Sequence, residues 1–241
     1  MTRRWHAPGI FAMLITLIGV AFFCALGAWQ IARAHQKQRL FAAFAGAGGM
    51  PAVSLAVARA QGEGAIYPHV RVRGHFVAGR SYVLDDKVRD GHQGVMVYSV
   101  LIPQDGGALL VNRGFLPRTR NGALPEIPPA PAGEQVLQGL YAPPPGSGLR
   151  IGGNRLPLQK AWPKIAIYLD LDEIAADFGR PLDSRVLLLD PVAGAGFVRE
   201  WRPQVFPPAR HFGYAVTWFT FALVALVIFI GMHWRTDALR Q

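Results

Sequence analysis

His211 is the residue of this chain best placed for chemistry. It stands in Arg210-His211-Phe212-Gly213-Tyr214-Ala215-Val216-Thr217-Trp218, and the chain then stays apolar to Met232. No charged residue falls between Tyr214 and Met232, a stretch close to the roughly 20 apolar residues that a bilayer-spanning helix needs. His211 therefore sits at the mouth of a membrane helix. His211, Tyr214, Ala215, Trp218, Ala222 and Ala225 follow a three-and-four spacing, which puts them on one helical face. An imidazole at a membrane surface can be an axial ligand to haem iron, a proton-relay group or a polar anchor among headgroups. Arg210 beside it can pair with a haem propionate or with lipid phosphate. Tyr214 and Trp218 can wall a flat macrocycle or pack on another helix, since a soft pocket between two helices is a common ligand site.

Other candidate chemistry is thinner. His69, His75 and His92 have no Glu or Cys at a spacing that completes a metal set, and read as solvated surface side chains. Asp85, Asp86 and Asp90 read as turn residues. Adjacent Asp85 and Asp86 would point to opposite faces of an extended strand, which argues against a paired-carboxylate hydrolase. The chain has no G-x-S-x-G elbow, P-loop, dinucleotide-type Gly fingerprint or H-E-x-x-H. Nothing points to an enzyme. One cysteine, Cys24, excludes an intrachain disulfide and the Cys pair that copper transfer uses.

The elements that position His211 follow from composition. The chain is 51% hydrophobic and 17% charged, too apolar for an ordinary soluble protein and too polar for a purely membrane one. A few spans with a water-facing domain fit that balance. The net charge of +10 suits anionic lipid headgroups or an acidic partner. Without zinc-finger spacing or a Lys/Arg-rich run, nucleic acid is not an expected partner. The expected organisation is an N-terminal segment over 1–9, a first span over 10–30, a β-rich domain over 31–210, a second span over 211–233 and a C-terminal segment over 234–241, with both terminal segments on the side opposite the domain. The first apolar run is longer than a signal-peptide core, and bulky Phe22 and Phe23 precede Cys24 where a lipoprotein signal needs small residues. Ala21, Ala25, Ala28 and Ala32 recur at helical spacing and suit close packing of the two spans. Trp29 suits the headgroup belt, while Gln30 and Arg33 suit the water side. Arg33, Lys37 and Arg39 extend this helix to about Phe44, before Gly46, Gly48, Gly49 and Pro51 break it.

In the domain, alternation predicts a strand over 70–77, and further strands are expected over 80–84 and 94–102, with a buried one over 108–112, and over 135–141 and 185–189. Gln104-Asp105-Gly106-Gly107 predicts a hairpin turn. A short strand is expected near Tyr168-Leu169, and a short helix capped by Asp170, with Glu173 three residues on, ending at Gly179. The fold class is thus two transmembrane helices flanking a mostly antiparallel β (α+β) domain. Arg3, Arg4, Arg235 and Arg240 lie on one side of the spans. Arg33, Lys37, Arg39, Arg199, Arg202 and Arg210 lie on the other. A naive charge count would place the domain in the cytoplasm, but the rule is weak for loops this long.

These pieces resemble the surfeit-locus-one family of cytochrome c oxidase assembly factors, called Shy in yeast. The resemblance is carried by Leu26-Gly27-Ala28-Trp29-Gln30 with Arg33, by Val70-Arg71-Val72-Arg73-Gly74-His75-Phe76, and by Leu84-Asp85-Asp86-Lys87-Val88-Arg89-Asp90-Gly91. It continues in Leu110-Val111-Asn112-Arg113-Gly114-Phe115-Leu116-Pro117, Leu189-Asp190-Pro191, and Arg210-His211-Phe212-Gly213-Tyr214-Ala215 with Trp218. Thr217 stands where the family usually shows Gln, and Phe115 where it often shows Trp. The resemblance implies a chaperone-like factor of the bacterial inner membrane, with its domain in the periplasm, acting in biogenesis of respiratory complex IV. It implies binding of haem a and help in placing it in cytochrome c oxidase subunit I, with haem a synthase a further partner. The family's proposed iron ligand falls on His211. The candidate cofactor-binding set is then His211, Arg210, Tyr214, Trp218 and Trp29. The rival expectation is a membrane-anchored scaffold for oxidase assembly that holds no haem.

Overall fold

The computed structural model describes residues 3–62, 67–146, 152–194, 196–203 and 205–236. In chain order the elements are β1 (Arg3–Trp5), α1 (Ile10–Ala47), β2 (Val53–Ser54), α2 (Leu55–Ala60), β3 (His69–Arg89), β4 (His92–Pro103), β5 (Leu109–Pro117), β6 (Glu134–Ala142), a 3-10 turn (Leu156–Leu158), β7 (Lys164–Ala166), α3 (Leu171–Phe178), β8 (Val186–Leu189), α4 (Pro208–His233) and β9 (Trp234–Thr236). Contacts divide the chain into two compact units, Met1–Phe41 with Val205–Gln241, and Ala42–Gln204.

The first unit holds α4 and most of α1. At 1.5 Å per residue α1 is roughly 57 Å long, nearly twice the ~30 Å of bilayer hydrocarbon, so it runs past any membrane as the Arg33–Phe44 sequence predicts. The most apolar stretches of α1 and α4 have mean hydropathies of 2.5 and 2.3, yet only 6% and 11% of those stretches is buried. A core helix of a soluble protein would be mostly covered. Here Ile10, Phe11, Leu17, Val216 and Leu223 all face outward, which suits lipid. The two helices are long and apolar enough to cross a membrane, and they mark the chain as membrane-anchored. At their far ends β1 and β9 pair antiparallel, Trp5 opposite Trp234, so both termini leave the helix pair on one side.

The second unit is a sheet closed on itself. The first third of β3 pairs antiparallel with β6, from His69 opposite Leu140 to His75 opposite Glu134. From Gly74 onward β3 pairs with β4. β4 pairs with β5, β5 runs parallel to β8, and β8 pairs antiparallel with β6. The path β3-β4-β5-β8-β6 therefore returns to β3 and leaves that ring no free edge. β2 and β7 add parallel pairings to β3. The sheet is mixed, with antiparallel pairs in the majority.

The two larger of three core clusters lie on opposite faces of the sheet. Val70, Val72 and Phe76 join Leu101, Leu109, Val111, Tyr141, Leu187 and Leu189, closed by Leu55 and Ala58 of α2. Tyr82, Leu84, Tyr98, Val100, Leu110 and Val186 pack on the other side under Leu156, Leu169 and Ile174. β5 is buried from Leu109 to Leu116 because all three clusters draw on it, Leu109 and Val111 in the first, Leu110 in the second and Leu116 in a third with Val83, Val95 and Val97. Gly74 sits where β3 changes partner. A Cβ there would lie 2.3 Å from the Ile102 carbonyl oxygen and 2.9 Å from Pro103 Cα, so backbone rather than a movable side chain is in the way. Gly74→Ala is expected to destabilise the domain by about 1–3 kcal/mol, read as a lowered urea midpoint at unchanged slope.

Several sequence expectations need correction. The strands expected at 70–77 and 80–84 are one strand, β3, kinked by a register shift between Phe76 and Ser81. Gly79, at φ +69, absorbs the kink, which moves the strand from one core to the other. Asp85 does not end a strand. It lies within β3 and accepts two bonds from the Arg118 guanidinium at 2.6 and 2.8 Å, whereas Asp90 does occupy a turn at φ 47. The short strand forms at Lys164–Ala166 rather than at Tyr168-Leu169. α3 carries the expected Asp170 cap, which accepts from the backbone N–H of Asp172 and Glu173, and it ends at left-handed Gly179. Glu173, however, receives bonds from Asn154 and from the Tyr168 hydroxyl.

Candidate functional site

The stripe by which α1 faces α4 is Phe23, Gly27, Gln30 and Ala34, spaced by fours and threes. Ala21, Ala25, Ala28 and Ala32 are exposed instead. A hydrophobic environment gives small residues no reason to turn inward unless something packs on them, and the bulk at this contact is aromatic. Phe23 stacks on Trp218 at 5.9 Å with 21° between the planes, and Phe221 meets both edge-on. Gly27 makes room for Phe219, since a Cβ there would come within 2.7 Å of its ring. His35 meets Phe212 edge-on at 5.9 Å. The pairing order, 23 with 218 and 35 with 212, sets the helices antiparallel.

His211 lies on this face, with Ala215, Trp218, Ala222 and Ala225 in successive turns; Ala215 and Ala222 are buried. Its Nδ1 is 2.8 Å from Gln30 Oε1. An amide oxygen only accepts, so Nδ1 carries the proton and donates it. Nε2 is buried and has no hydrogen-bond partner. A buried polar atom left unmet is uncommon and costs about 1–3 kcal/mol. Here it is the atom that would donate a lone pair to a metal.

The other sequence candidates are spread around this point. Arg210 is exposed and lies 5.1 Å from the Phe206 ring centroid. Trp218 is half-buried in the aromatic cluster. Tyr214 and Trp29 are each more than half exposed and lie off the face shared by the helices. Thr217 bonds back to the Gly213 carbonyl of its own helix at 3.1 Å, so its hydroxyl makes no bond to α1. Gln30 is the residue that sequence reasoning placed on the water side. Its signal was the 23-27-30-34 spacing, which the regular alanines obscured.

In the domain the histidines separate. His75 and His92 are exposed, but His69 is not a solvated side chain. Its Nδ1 meets the Met50 carbonyl at 3.0 Å and its Nε2 meets Asp190 Oδ2 at 2.8 Å. Arg113, from Asn112-Arg113-Gly114, donates to the carbonyls of Pro128 and Pro129 at 2.7 and 3.0 Å and stacks on Phe197. Arg199 donates to the carbonyls of Arg113 and Asp190. Burial, with the neighbouring Arg199 charge, pulls the Arg113 guanidinium down to about 10, so it stays charged at neutral pH. Gly114, at φ +129, lets Phe197 cross closely above it. These contacts fasten the Pro-rich loop and the 190–199 segment to the barrel. Among the described residues no group of three His, Cys, Asp or Glu side chains could hold a metal ion.

A match to the model of the SURF1 family covers residues 17–223, most of the chain, with the whole barrel and the greater part of both helices. The chain belongs to the SURF1 family. A SURF1-like protein of Caenorhabditis briggsae is 24% identical over 242 residues, covering 90% of this chain and 74% of that relative. SURF1 proteins are known in general as oxidase assembly factors, a family of assembly proteins and not a catalytic one. Gln30 and His211 both fall within the matched span.

Proposed function

We propose that this SURF1 protein holds haem a through His211 and assists its insertion into subunit I of cytochrome c oxidase. It does so from the inner membrane of a bacterial cell, with the barrel domain in the periplasm. The observation that supports this reading most is the His211 imidazole, whose Nδ1 proton is engaged and whose Nε2 is buried without a partner. That is the state a neutral histidine needs to bind a haem iron. The haem iron, when bound, would take up the Nε2 lone pair that no donor meets.

The chain's own residues divide the remaining work. Gln30 fixes the imidazole, and Trp218 with Phe23 offers flat apolar surface one to two turns further into the bilayer. Exposed Arg210 is available to a propionate, a charge-assisted contact. Tyr214 and Trp29 supply exposed aromatic edges at headgroup level. Because Nε2 is covered, ligation requires side chains over it to move. That keeps retention modest and suits a carrier that must release what it holds. The barrel domain, with its closed sheet, is the part that meets subunit I or haem a synthase.

The test is oxidase assembly in cells whose only copy is His211→Ala. We expect a severe loss of haem a in assembled subunit I, with normal amounts of the variant in the membrane. Assembly at the wild-type level would instead identify a scaffold that holds no haem.

A further inference from the structure

Resting on the reading of His211 as a ligand, we infer that Gln30 is a positioning residue. Its side-chain oxygen holds the His211 imidazole in the Nδ1–H form and so presents the Nε2 lone pair. The two residues are 181 positions apart in sequence, and the bond between them is 2.8 Å. It is the only polar side-chain bond between α1 and α4 among the described residues. A ring nitrogen that ligates a metal is typically oriented by a bond at the other nitrogen, which fixes tautomer and rotation and raises ligand basicity. Gln30 makes that bond from the facing helix. An imidazole without it would be free to carry its proton on Nε2, where no lone pair remains for a metal, and to turn about its Cβ–Cγ axis.

The neighbours leave Gln30 alone in this role. Gly27, one turn before it, has no side chain, and Ala34, one turn after it, has no polar atom. Trp29 is largely exposed, and Arg33 donates to Gln36 at 2.7 Å. Thr217 is satisfied on its own helix. The bond also ties ligand geometry to helix packing, so movement of α1 along α4 would change how His211 is held.

The experiment uses the full chain in nanodiscs, labelled with 15N-histidine, without haem and at a pH where the spectrum shows His211 to be neutral. Comparison with His211→Ala assigns its signals. In the wild type Nε2 is expected to show the shift of an unprotonated ring nitrogen and Nδ1 that of a protonated one. Gln30→Leu should mix or invert the two, while Gln30→Glu, which keeps an acceptor, should retain the wild-type pattern. Identical tautomers in the wild type and Gln30→Leu, or a proton on Nε2 in the wild type, would overturn the inference. Titration with haem separates this from the proposed function. Gln30→Leu should weaken binding by about ten- to a hundredfold. A wild type with the expected tautomer that binds no haem removes the haem reading and leaves Gln30's hold on His211 standing.

Discussion

Asp177→Ala is expected to destabilise the barrel domain by about 3–5 kcal/mol, the usual result of removing one partner from a buried ion pair. Lys164 on β7 and Asp177 on α3 form that pair, with their side chains 9% and 3% exposed. Tyr82, fully buried on β3, donates its hydroxyl to the other Asp177 oxygen at 2.9 Å. The carboxylate thus joins three elements, and its loss leaves an ammonium and a phenol hydroxyl without their acceptor. Lys164 also lies 4.9 Å from the Trp162 ring centroid, and Arg80 lies 4.8 Å from it. Replacing both charges, as in Lys164→Met with Asp177→Leu, should cost much less, because no charge is then stranded. Urea unfolding of the full chain in micelles, followed by tryptophan fluorescence, measures both. A single variant within about 1 kcal/mol of wild type, well under the range for broken buried pairs, would contradict this view of the pair.

Stability should also fall at alkaline pH. Burial pushes the hydroxyls of Tyr82, Tyr98 and Tyr141 up from the ordinary 10.0. For Tyr82 and Tyr141, bonds to Asp177 and Asp183 and the negative charge of those carboxylates push further the same way. For Tyr98 a bond with Asn112 opposes the effect. The folded state therefore keeps protons that the unfolded chain releases above pH 10. The stabilisation is complete below that pH and is lost as pH rises. Each phenol contributes about 1.4 kcal/mol per pH unit in that window. The lowered Arg89, Arg113 and Arg199 work in the opposite direction and the raised Tyr67 in the same one, so the net slope is shallower than the three phenols alone would give. Urea midpoints should be level from pH 7 to nearly 10 and then drop. Tyr98→Phe should remove about one phenol's share of the slope. A midpoint unchanged at pH 11 would contradict the burial of these three groups.

Much of this architecture is readable from sequence, for reasons that differ by element. Hydropathy announces α1 and α4 because lipid demands an apolar surface all round a helix. Short apolar and β-branched runs bounded by turn residues announce β4, β5, β6 and β8, and the run at β5 is unbroken because both of its faces are covered. Asp170 and Gly179 announce α3 through its ends. Sequence alone divides β3, because Ala78-Gly79 interrupts the alternation and only pairing across a bulge shows that the strand continues. β2 and α2 are too short for any period. The alanine repeat suggested the wrong face of α1, since regular small residues look alike whether they meet a helix or lipid. His69 looked like surface because nothing local shows that Met50 and Asp190 enclose it. His211 was legible as a candidate from its place at a membrane mouth. Gln30 was not, because its partner lies on the far side of the whole domain in sequence.

The most direct measurement is the absorption spectrum of the full chain purified from membranes that make haem a, beside that of His211→Ala prepared in the same way. We expect a haem Soret band in the wild type and its loss in the variant, with equal yields of folded protein. An equal band in both, or none in either, would remove His211 as the ligand and leave a membrane-anchored assembly scaffold.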